Sequence, residues 1–440
     1  MGLAVPWTRY QSLLKHAQLV GVRGRVTELT GLVLKASVPN VRVGELCHIK
    51  GRGRAAVKAE VVGFQGSEVM LMPLGELRGI GPDSEVVPTG RPLSIRVGEA
   101  LLGRVLNGLG EPIDGKGPLP SEGLMDWSVD RDCPDPYKRQ RILRPLPLGV
   151  RCIDGLLTVG EGQRIGLFAG SGVGKSTLMG QIARNTAAEL AVIALIGERG
   201  REVLEFVEDA LGEEGLKRSI VVCATSDQPS LVRLRAAFVA TSIAEYFRER
   251  GGNVLFMLDT VTRLARAQRE IGLAVGEPPA RQGYPPSVFS MLPKILERTG
   301  NSEKGKCTAI YTVLVAGGDM EEPIADEVRG ILDGHFILNR ALAERNQWPA
   351  MDVLQSLSRV MNQVVSKEHK AAAGKLRETL ATYEKQRDLI LLGAYQYGTD
   401  PRTDYAIDKY DAIIDFLKQS TDSGVRFEET AEALVALFEE

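Results

Sequence analysis

The sequence has few of the residues from which disulfide and metal frameworks are built. It contains five cysteines in 440 residues, none of them in a Cys-x-x-Cys pair, and four histidines that lie far apart. An odd number of scattered cysteines is typical of free thiols in a reducing compartment, so we expect neither a disulfide framework nor a zinc site. The dispersed histidines likewise predict no metal cluster.

The sequence also lacks an excess of charge and a long apolar run. Its 54 basic and 56 acidic residues leave a formal net charge of −2. That balance excludes a protein whose whole surface binds nucleic acid or an anionic membrane, but it allows binding through a local basic patch. The longest apolar runs, such as 190–197, are far shorter than the roughly 18 residues of a membrane helix. Because no basic segment followed by an apolar one opens the chain, we expect no signal peptide and a cytoplasmic protein.

What the sequence does have is the composition of a folded, multidomain protein rich in glycine. Hydrophobic residues make up 44% and charged residues 25%, which are ordinary values for a globular chain and argue against intrinsic disorder. The length predicts about three domains at roughly 150 residues each. The 48 glycines exceed the usual share of ~7%, and such a surplus indicates tight turns or backbone held close to a ligand.

The pattern of apolar residues changes along the chain and predicts the domain organisation. An initial segment with apolar residues three to four apart is an amphipathic helix, which either packs on its own domain or docks a partner. Short valine-rich runs between glycines and prolines then predict a small antiparallel barrel. Alternating apolar strands and helices predict a mostly parallel sheet wrapped by helices, and a purely helical stretch follows. The predicted domains are an amphipathic helix (1–19), a β-barrel (20–97), an α/β domain (98–365, of which 98–150 is a connecting segment) and a helical domain (366–440).

The strongest motif is Ala169-Gly-Ser-Gly-Val-Gly-Lys-Ser176, which fits the relaxed phosphate-loop pattern between an apolar strand and a helix. Its glycines let backbone N–H groups turn inward on phosphate oxygens, and the helix N-terminus adds partial positive charge. Lys175 supplies a point charge for the β- and γ-phosphates, and the Ser176 hydroxyl suits a Mg²⁺ ligand. The motif predicts an ATP and Mg²⁺ site with these nucleotide-binding residues: Gly170, Ser171, Gly172, Val173, Gly174, Lys175, Ser176 and Thr177.

Two carboxylates at strand ends complete the predicted site. The apolar run 254–258 precedes Asp259, which places this acid at the edge of the sheet where open α/β folds bind ligands and predicts that it holds Mg²⁺ or its bound water. Glu198 follows another apolar strand, whose end should lie beside the phosphate loop. Because hydrolysis needs a group that orients and polarises the attacking water, Glu198 is the predicted catalytic residue. Its neighbours Arg201 and Glu202 are predicted to be solvated charges that open a helix.

Longer motifs carry a resemblance to a known family. Phe168-Ala-Gly-Ser-Gly-Val-Gly-Lys-Ser-Thr177, Gly197-Glu-Arg-Gly-Arg-Glu202 and Asp259-Thr-Val-Thr-Arg263 resemble the catalytic subunits of rotary ATPases. Gly276-Glu-Pro-Pro279, Gly283-Tyr-Pro-Pro-Ser287 and Gly330-Ile-Leu-Asp-Gly334 are similar to the export ATPases of flagella and of type III secretion systems. The resemblance runs from about residue 20 to the C-terminus. It implies a RecA-like phosphate-loop α/β core with an N-terminal small β-barrel and a C-terminal helical domain.

The same resemblance assigns further roles. It implies a homohexamer with ATP held between neighbouring subunits, in which Arg263 reaches into the nucleotide site and Arg359 is the arginine finger given to the neighbour's γ-phosphate. Such a finger is worth about 10³–10⁵ in rate. Trp348 stands where the family has an aromatic residue beside the adenine, although tyrosine or phenylalanine is commoner there. The segment 311–320 departs from the family, since of its usual acids only Asp319 remains, and we assign that residue no catalytic role.

The implied activity is hydrolysis of ATP to ADP and phosphate by a ring that powers protein export at the inner face of the bacterial cytoplasmic membrane. The implied partners are the export gate, chaperones, exported proteins, a central stalk protein, and a peripheral stalk or regulator protein that would bind the N-terminal helix. Loop 272–286, which is rich in glycine and proline, is either a rigid turn or a contact for the central stalk or the exported protein. Nucleic acid is not an expected partner, whereas peripheral contact with membrane lipids stays open.

Three alternatives share parts of this chemistry. The chain length and the form of Gly283-Tyr-Pro-Pro-Ser287 argue against an ATP synthase catalytic subunit. An RNA translocase on the same core should carry a basic face with aromatic residues, but 20–97 contains Phe64 alone. A nucleotide-binding subunit without turnover is disfavoured by intact Lys175, Glu198, Asp259 and Arg359. Between the two export systems, the C-terminal segment from Ser366-Lys-Glu-His369 to Leu392-Gly-Ala-Tyr395 favours the flagellar one.

Overall fold

The computed structural model describes residues 22–51 and 56–439. The predicted N-terminal helix, 1–19, lies outside the described residues. The chain forms two compact units, one ending at Leu93 and the other beginning at Ser94. Each unit has its own sheet and its own hydrophobic core.

The first unit is a closed barrel of six antiparallel strands. The strands are β1 (Gly24–Thr30), β2 (Val33–Ser37), β3 (Glu45–Lys50), β4 (Val57–Gln65), β5 (Glu68–Pro73) and β6 (Glu85–Pro92). They close in the order β1-β2-β5-β4-β3-β6. Buried residues alternate with more exposed ones along β3, because successive side chains of a strand point to opposite faces. The inner face is aliphatic, with Leu34, Ile49 and Leu71 fully buried, and the predicted small barrel is confirmed.

The second unit is built on a large, mostly parallel sheet. Its strands are β7 (Ser94–Val97), β8 (Val105–Asn107), β9 (Met125–Ser128), β10 (Arg164–Ala169), β11 (Leu190–Ile196), β12 (Ser219–Ala224), β13 (Asn253–Asp259), β14 (Lys306–Leu314), β15 (Gly334–Leu338) and β16 (Leu357–Ser358). Eight of them form the order β16-β15-β10-β14-β13-β11-β12-β8, in which only β15 and β16 pair antiparallel. The predicted barrel range of 20–97 includes β7, which pairs with β9 in the second unit.

Helices cover the sheet. They are α1 (Arg151–Leu156), α2 (Lys175–Asn185), α3 (Gly200–Glu205), α4 (Gly212–Lys217), α5 (Ser230–Glu249), α6 (Val261–Ala274), α7 (Pro286–Leu296), α8 (Pro323–Ile331), α9 (Arg340–Glu344) and α10 (Met361–Val364), with a π-helical turn, Phe206–Leu211, between α3 and α4. Every residue of β11 is buried, which requires cover on both faces of the sheet. The predicted α/β core with a mostly parallel sheet is confirmed.

The chain ends in three helices, as the helical periodicity predicts. They are α11 (Lys367–Leu391), α12 (Pro401–Leu417) and α13 (Phe427–Ala436). Ser366 caps α11 by accepting a hydrogen bond from the backbone N–H of His369. The rings of Tyr383 and Tyr410 stack at 3.7 Å and join α11 to α12. In the described part of the chain, no helix is both long and apolar enough to span a bilayer.

The sheet order determines where chemistry is placed. Parallel strands end at the same edge, and β10, β14, β13 and β11 are consecutive neighbours. The loops that follow β10, β11 and β13 therefore emerge side by side, at the edge where open α/β sheets bind ligands.

Candidate nucleotide site

The phosphate loop joins the end of β10 to the start of α2. Gly172 and Gly174 adopt left-handed backbone conformations, with φ of 77° and 80°, which favour glycine. The loop therefore turns sharply and delivers Lys175 to the first position of α2. Residues 170–177 all lie on this loop or on the first turn of the helix. Because the first N–H groups of a helix have no partners within it, this arrangement suits an anionic phosphate group.

Lys175 lies between two buried carboxylates. Its Nζ is hydrogen-bonded to Asp259 Oδ1 and lies 3.7 Å from Glu198 Oε1. The side chains of Asp259 and Glu198 are only 3% and 8% exposed. Asp259 ends β13 and Glu198 follows β11, and the parallel pairing of those strands brings the two acids together. A phosphate group in this loop would compete with both carboxylates for the same ammonium group.

Of the two carboxylate oxygens of Glu198, one is held in a close ion pair and the other forms no hydrogen bond. Its Oε2 pairs with Arg263 Nη1 at 2.7 Å, whereas Oε1 is buried without a hydrogen-bond partner. Burial raises the pKa of Glu198 to about 7, and contact with the Glu202 side chain and the charge of Asp259 raise it further. The positive charges of Lys175 and Arg263 act in the opposite direction and lower it. The contact with Glu198 in turn lowers the pKa of Glu202. A carboxylate with an oxygen that accepts no hydrogen bond and a pKa near neutrality suits general base chemistry.

Arg263 reaches Glu198 from the first turn of α6. Thr260 caps this helix, because its hydroxyl accepts a hydrogen bond from the Arg263 backbone N–H at 3.2 Å. The Arg263 guanidinium also donates to the Gly197 carbonyl. Arg263 therefore fixes the position of Glu198 within the same chain.

Trp348 lies against the phosphate loop. A Cβ atom placed on Gly174 would lie only 2.8 Å from Cζ3 of the indole ring, so the close approach requires glycine. The indole N–H donates to Asn346 Oδ1 at 3.0 Å. Trp348 also lines an open cavity of about 440 Å³ together with residues 418–421. An aromatic wall beside a phosphate loop can stack on a purine base.

Arg359 does not join this cluster within one chain. It follows β16 at the edge of the sheet, and its backbone N–H donates to the Asp333 carbonyl at 3.1 Å. Its side chain is exposed. Within residues 22–51 and 56–439, the Arg359 guanidinium forms no ion pair and no hydrogen bond.

Ser176 and Asp259 are the residues that would hold a divalent cation. Mg²⁺ takes oxygen ligands, keeps several waters and is usually bound by one or two carboxylates plus the substrate phosphates. No group of three or more His, Cys, Asp or Glu side chains forms a metal site in the part of the chain that the structure describes. The exposed Ser176 hydroxyl and the buried Asp259 carboxylate therefore fit a cation shared with phosphate, rather than one caged by protein alone.

Two residues that no sequence motif marks also contact the site. Thr312, on β14, donates a hydrogen bond of 2.6 Å to Asp259 Oδ1. Arg340, at the start of α9, donates one of 3.0 Å to the Ser171 carbonyl in the phosphate loop. No local sequence signal distinguishes Thr312 from Thr308 on the same strand, and nothing local marks Arg340. Strand pairing and the packing of α9 bring them to the site.

Family models match all three parts of the chain. The nucleotide-binding domain of the ATP synthase alpha/beta family matches residues 149–358, and the β-barrel domain of that family matches residues 26–90. The C-terminal domain of the type III secretion ATPase EscN matches residues 365–436. The matches follow the barrel, the α/β core and the C-terminal helices.

Similarity to individual proteins extends over nearly the whole chain. The flagellum-specific ATP synthase of Bacillus subtilis strain 168 is 56% identical over 416 residues, which cover 94% of each chain. The type 3 secretion system ATPase of Xanthomonas euvesicatoria is 54% identical and covers 94% of this chain and 93% of that protein. The structure of the assembled ATPase EscN from enteropathogenic E. coli matches with a TM-score of 0.89 at 48% identity, over 94% of this chain and 99% of that one. EscN in complex with its central stalk EscO matches with a TM-score of 0.87.

Proposed function

This chain belongs to the ATP synthase alpha/beta family, and from that premise we propose how its nucleotide site works. The chain is an ATPase whose ring energises protein export through a flagellar or type III secretion apparatus, as its full-length relatives indicate. Of the two systems, we propose the flagellar one, which the sequence of residues 366–395 favours.

The phosphate loop and Trp348 bind the nucleotide. Backbone N–H groups of the loop and of the first turn of α2 receive the phosphate oxygens. The Lys175 ammonium, which pairs with Asp259 in this structure, shifts toward the β- and γ-phosphates. The Trp348 ring stacks on the adenine, and its contact with Gly174 fixes the position of the base relative to the phosphate loop.

Ser176 and Asp259 would hold the Mg²⁺ that accompanies ATP. When bound, Mg²⁺ would neutralise charge on the phosphate groups. Asp259 is held for this task by Thr312, whose hydroxyl donates to Oδ1 from the neighbouring strand. When Lys175 moves toward the phosphate, Asp259 Oδ1 loses its contact with the ammonium group and keeps the hydrogen bond from Thr312.

Glu198 orients and deprotonates the attacking water, and the observation that carries this proposal is that its Oε1 forms no hydrogen bond. That atom is buried, has no hydrogen-bond partner and lies 3.7 Å from the phosphate-binding Lys175. Arg263 holds the other oxygen at 2.7 Å. As the water oxygen forms its bond to the γ-phosphorus, its proton passes to Oε1, the bond to the β–γ bridging oxygen breaks, and ADP leaves.

Arg359 completes the nucleotide site of a neighbouring copy. Arg263 is engaged with Glu198 in its own chain, whereas the Arg359 guanidinium is exposed and has no partner in the described residues. The relative EscN is an assembled ATPase. We propose a homohexamer in which Arg359 of one subunit neutralises charge on the γ-phosphate held by the next.

The remaining partners follow from the family. We propose a central stalk protein, since EscN forms a complex with its central stalk EscO, together with the export gate, chaperones and exported proteins at the inner face of the cytoplasmic membrane. A regulator or peripheral stalk protein would bind residues 1–19, and loop 272–286 would face the channel. An ATP synthase catalytic subunit of another system and an RNA translocase are not favoured, because the relatives matched over nearly their whole length are a flagellum-specific ATP synthase and a type 3 secretion system ATPase.

The test is ATP hydrolysis measured against protein concentration, with particle images of the same samples. Because each site needs Arg359 from a neighbour, specific activity should rise with concentration in parallel with the fraction of rings. A Lys175→Ala chain should show neither tight ATP binding by calorimetry nor hydrolysis. Full activity in dilute, monomeric protein would contradict the shared site.

A further inference from the structure

Residues 137–144, here called the basic strap, form an exposed run on the second unit. They read Tyr-Lys-Arg-Gln-Arg-Ile-Leu-Arg, with four basic residues and no acidic one. The Tyr137 side chain is 100% exposed and Leu143 is 74% exposed. Lys138, Arg141 and Arg144 are exposed and form no ion pair in the described part of the chain. Bare apolar side chains among uncompensated charges are typical of an interaction surface.

The strap is fixed to the unit that carries it. Asp135 caps the turn Pro136–Lys138 by accepting a hydrogen bond of 2.9 Å from the Tyr137 backbone N–H. Arg139 turns inward and donates to the Thr299 carbonyl at 2.8 Å. The Gln140 side chain donates to the Glu303 carbonyl, also at 2.8 Å. The outward side chains are therefore presented on an ordered backbone and need little ordering on binding.

The strap lies beside the proposed arginine finger. Ile142, in the strap, and Val360 both pack over Gly160, where an added Cβ atom would lie 2.2 Å and 2.9 Å from their methyl carbons. Val360 directly follows Arg359. The strap and Arg359 therefore share one region of the surface.

A surface of opposite charge begins at the nucleotide site. Residues 202–214, here called the acidic segment, run from α3 through the π-helical turn into α4 and contain six acids and no basic residue. Glu208 and Asp209 are exposed and form no ion pair within the described ranges, whereas the other four acids pair with Arg199, Arg201 or Lys217. The segment starts four residues after Glu198, and Glu202 contacts Glu198 directly.

An apolar groove of about 700 Å³ runs along the acidic segment. Leu204 and Ile113 line it and are 56% and 53% exposed. Val207 and Leu216 form further parts of its wall, and Glu208 contributes acidic charge at its side. An apolar floor with acidic charge complements a strap that carries exposed apolar side chains among basic ones.

We propose that the basic strap of each subunit docks on the acidic segment of the next subunit, with Tyr137 and Leu143 covering the apolar groove. The occupant is a second copy of this chain for a geometric reason. If Arg359 enters the neighbour's nucleotide site, it carries the strap to the surface beside that site, where the acidic segment begins. A contact between two different surfaces of the same chain can close into a ring. This inference rests on the proposed function and deepens it by naming the surfaces that seat Arg359.

Charge reversal tests the docking. The strap variant is Lys138→Glu with Arg141→Glu and Arg144→Glu, and the acidic variant is Glu208→Lys with Asp209→Lys. Each alone should raise the protein concentration for half-assembly at least about tenfold, measured by analytical ultracentrifugation with a non-hydrolysable ATP analogue, because like charges then face each other. An equal mixture should assemble near the wild-type concentration, since an alternating ring again pairs opposite charges at every contact. The control, Lys385→Glu with Arg402→Glu on α11 and α12, should assemble as wild type.

Several results would overturn the docking. They are unchanged assembly of either variant, an equal effect of the control, or failure of the mixture to assemble while each variant binds ATP normally by calorimetry. Loss of sedimentation with phosphatidylglycerol vesicles by a strap variant that still assembles would assign the strap to an anionic surface instead. If reversal prevents folding, Lys138→Gln with Arg141→Gln serves in its place. Absence of ATP hydrolysis by the wild-type chain would refute the proposed function, whereas concentration-dependent hydrolysis with indifferent variants would refute the docking alone.

Discussion

At the scale of single residues, the candidate chemistry depends on three side chains that share one buried volume. Lys175 stands between Asp259 and Glu198, and each acid also contacts a second protein group, Thr312 for Asp259 and Arg263 for Glu198. Burial makes these contacts strong, because charges attract more strongly where water is excluded. Substitutions here should therefore separate binding from turnover.

Glu198→Gln should bind ATP but hydrolyse it slowly. An amide keeps the shape of the carboxylate but cannot accept the proton of water, and general base catalysis contributes about 10²–10⁴ in rate. We expect kcat to fall by at least about 10² while calorimetric affinity for ATP stays near that of wild type. Glu202→Gln is the control. The Glu202 side chain contacts Glu198 but has no buried oxygen that lacks a hydrogen bond, so this variant should retain most activity. Normal turnover by Glu198→Gln would remove this residue from the mechanism.

The pH dependence should follow Glu198. Its pKa rises from an ordinary value near 4.5 to about 7 in the folded protein, so single-turnover hydrolysis should increase with pH through about 7 as the carboxylate ionises. Between those two values the folded chain binds a proton more tightly than the unfolded chain, so this contribution to stability declines as pH rises. Glu198→Gln should accordingly gain in melting temperature relative to wild type from about pH 5 to about pH 8. A constant difference across that range would refute the shift.

Thr312→Val should weaken the hold on Asp259 without changing the volume of the strand. The fully buried Thr312 hydroxyl donates a hydrogen bond of 2.6 Å to the Asp259 carboxylate. Hydrogen bonds to charged groups contribute about 1.5–3 kcal/mol. We expect a reduced kcat and a higher Mg²⁺ concentration for half-maximal activity, together with a loss of stability of that order in urea titrations. Thr312→Ser, which keeps the hydroxyl, should restore most of each property. Equal behaviour of the two variants would show that the hydroxyl has no such role.

At the scale of elements, a buried ion pair ties α5 to the turn that precedes β14. Arg298 and Glu245 are each 2% exposed and pair at 2.6 Å, and Arg298 also donates to Ser242 Oγ and to the Val129 carbonyl, both at 2.9 Å. Nearly every donor of the guanidinium is thereby occupied. This joint lies away from the phosphate loop, so it should govern stability rather than chemistry.

Glu245→Gln should destabilise the second unit. Removing one partner leaves the buried Arg298 charge uncompensated, which costs about 3–5 kcal/mol in comparable pairs. Glu205→Gln, on α3, removes one side of an ion pair with Arg201 in which both side chains are exposed, 48% and 71%, and should change stability by less than about 1 kcal/mol. Urea unfolding of both variants, with ATP affinity as a check on the site, makes the comparison. Similar midpoints for the two would contradict the importance of the buried pair.

At the scale of the whole molecule, activity is expected to belong to the ring rather than to the subunit. Arg359 is exposed and unpaired in the described chain, while the phosphate loop has its own lysine but no free arginine. Two defective subunits can then complement each other when their defects lie on opposite sides of one interface.

Mixing Lys175→Ala with Arg359→Ala subunits should recover activity that neither has alone. At some interfaces an intact nucleotide pocket from one subunit meets an intact Arg359 from the other, and such a finger is worth about 10³–10⁵ in rate. ATP hydrolysis against mixing ratio should pass through a maximum. A double variant with both substitutions in one chain is the control, since mixing it with either single variant creates no complete interface. No recovery in confirmed mixed hexamers would argue that Arg359 acts in its own chain.

The amino-acid sequence by itself determined the fold class and the local parts of the site. Valine-rich runs between turns predict the barrel, and unbroken apolar runs predict strands buried on both faces. Successive residues of a strand point to opposite faces, so the order of apolar and polar residues indicates which faces are buried. The phosphate loop is likewise local, since its glycines and Lys175 are consecutive. The acids at the ends of β11 and β13 could also be found, because parallel strands end at a common edge.

Only the tertiary structure decided which distant residues meet. Thr312 reaches Asp259 through strand pairing, Arg340 reaches Ser171 through the packing of α9, and β7 pairs with β9 rather than with the barrel. The neighbourhood of the basic strap and Arg359 likewise depends on a shared contact over Gly160. These relations join residues that are far apart in sequence. Their placement follows from the packing of the whole unit, so no local pattern of apolar or charged residues predicts it.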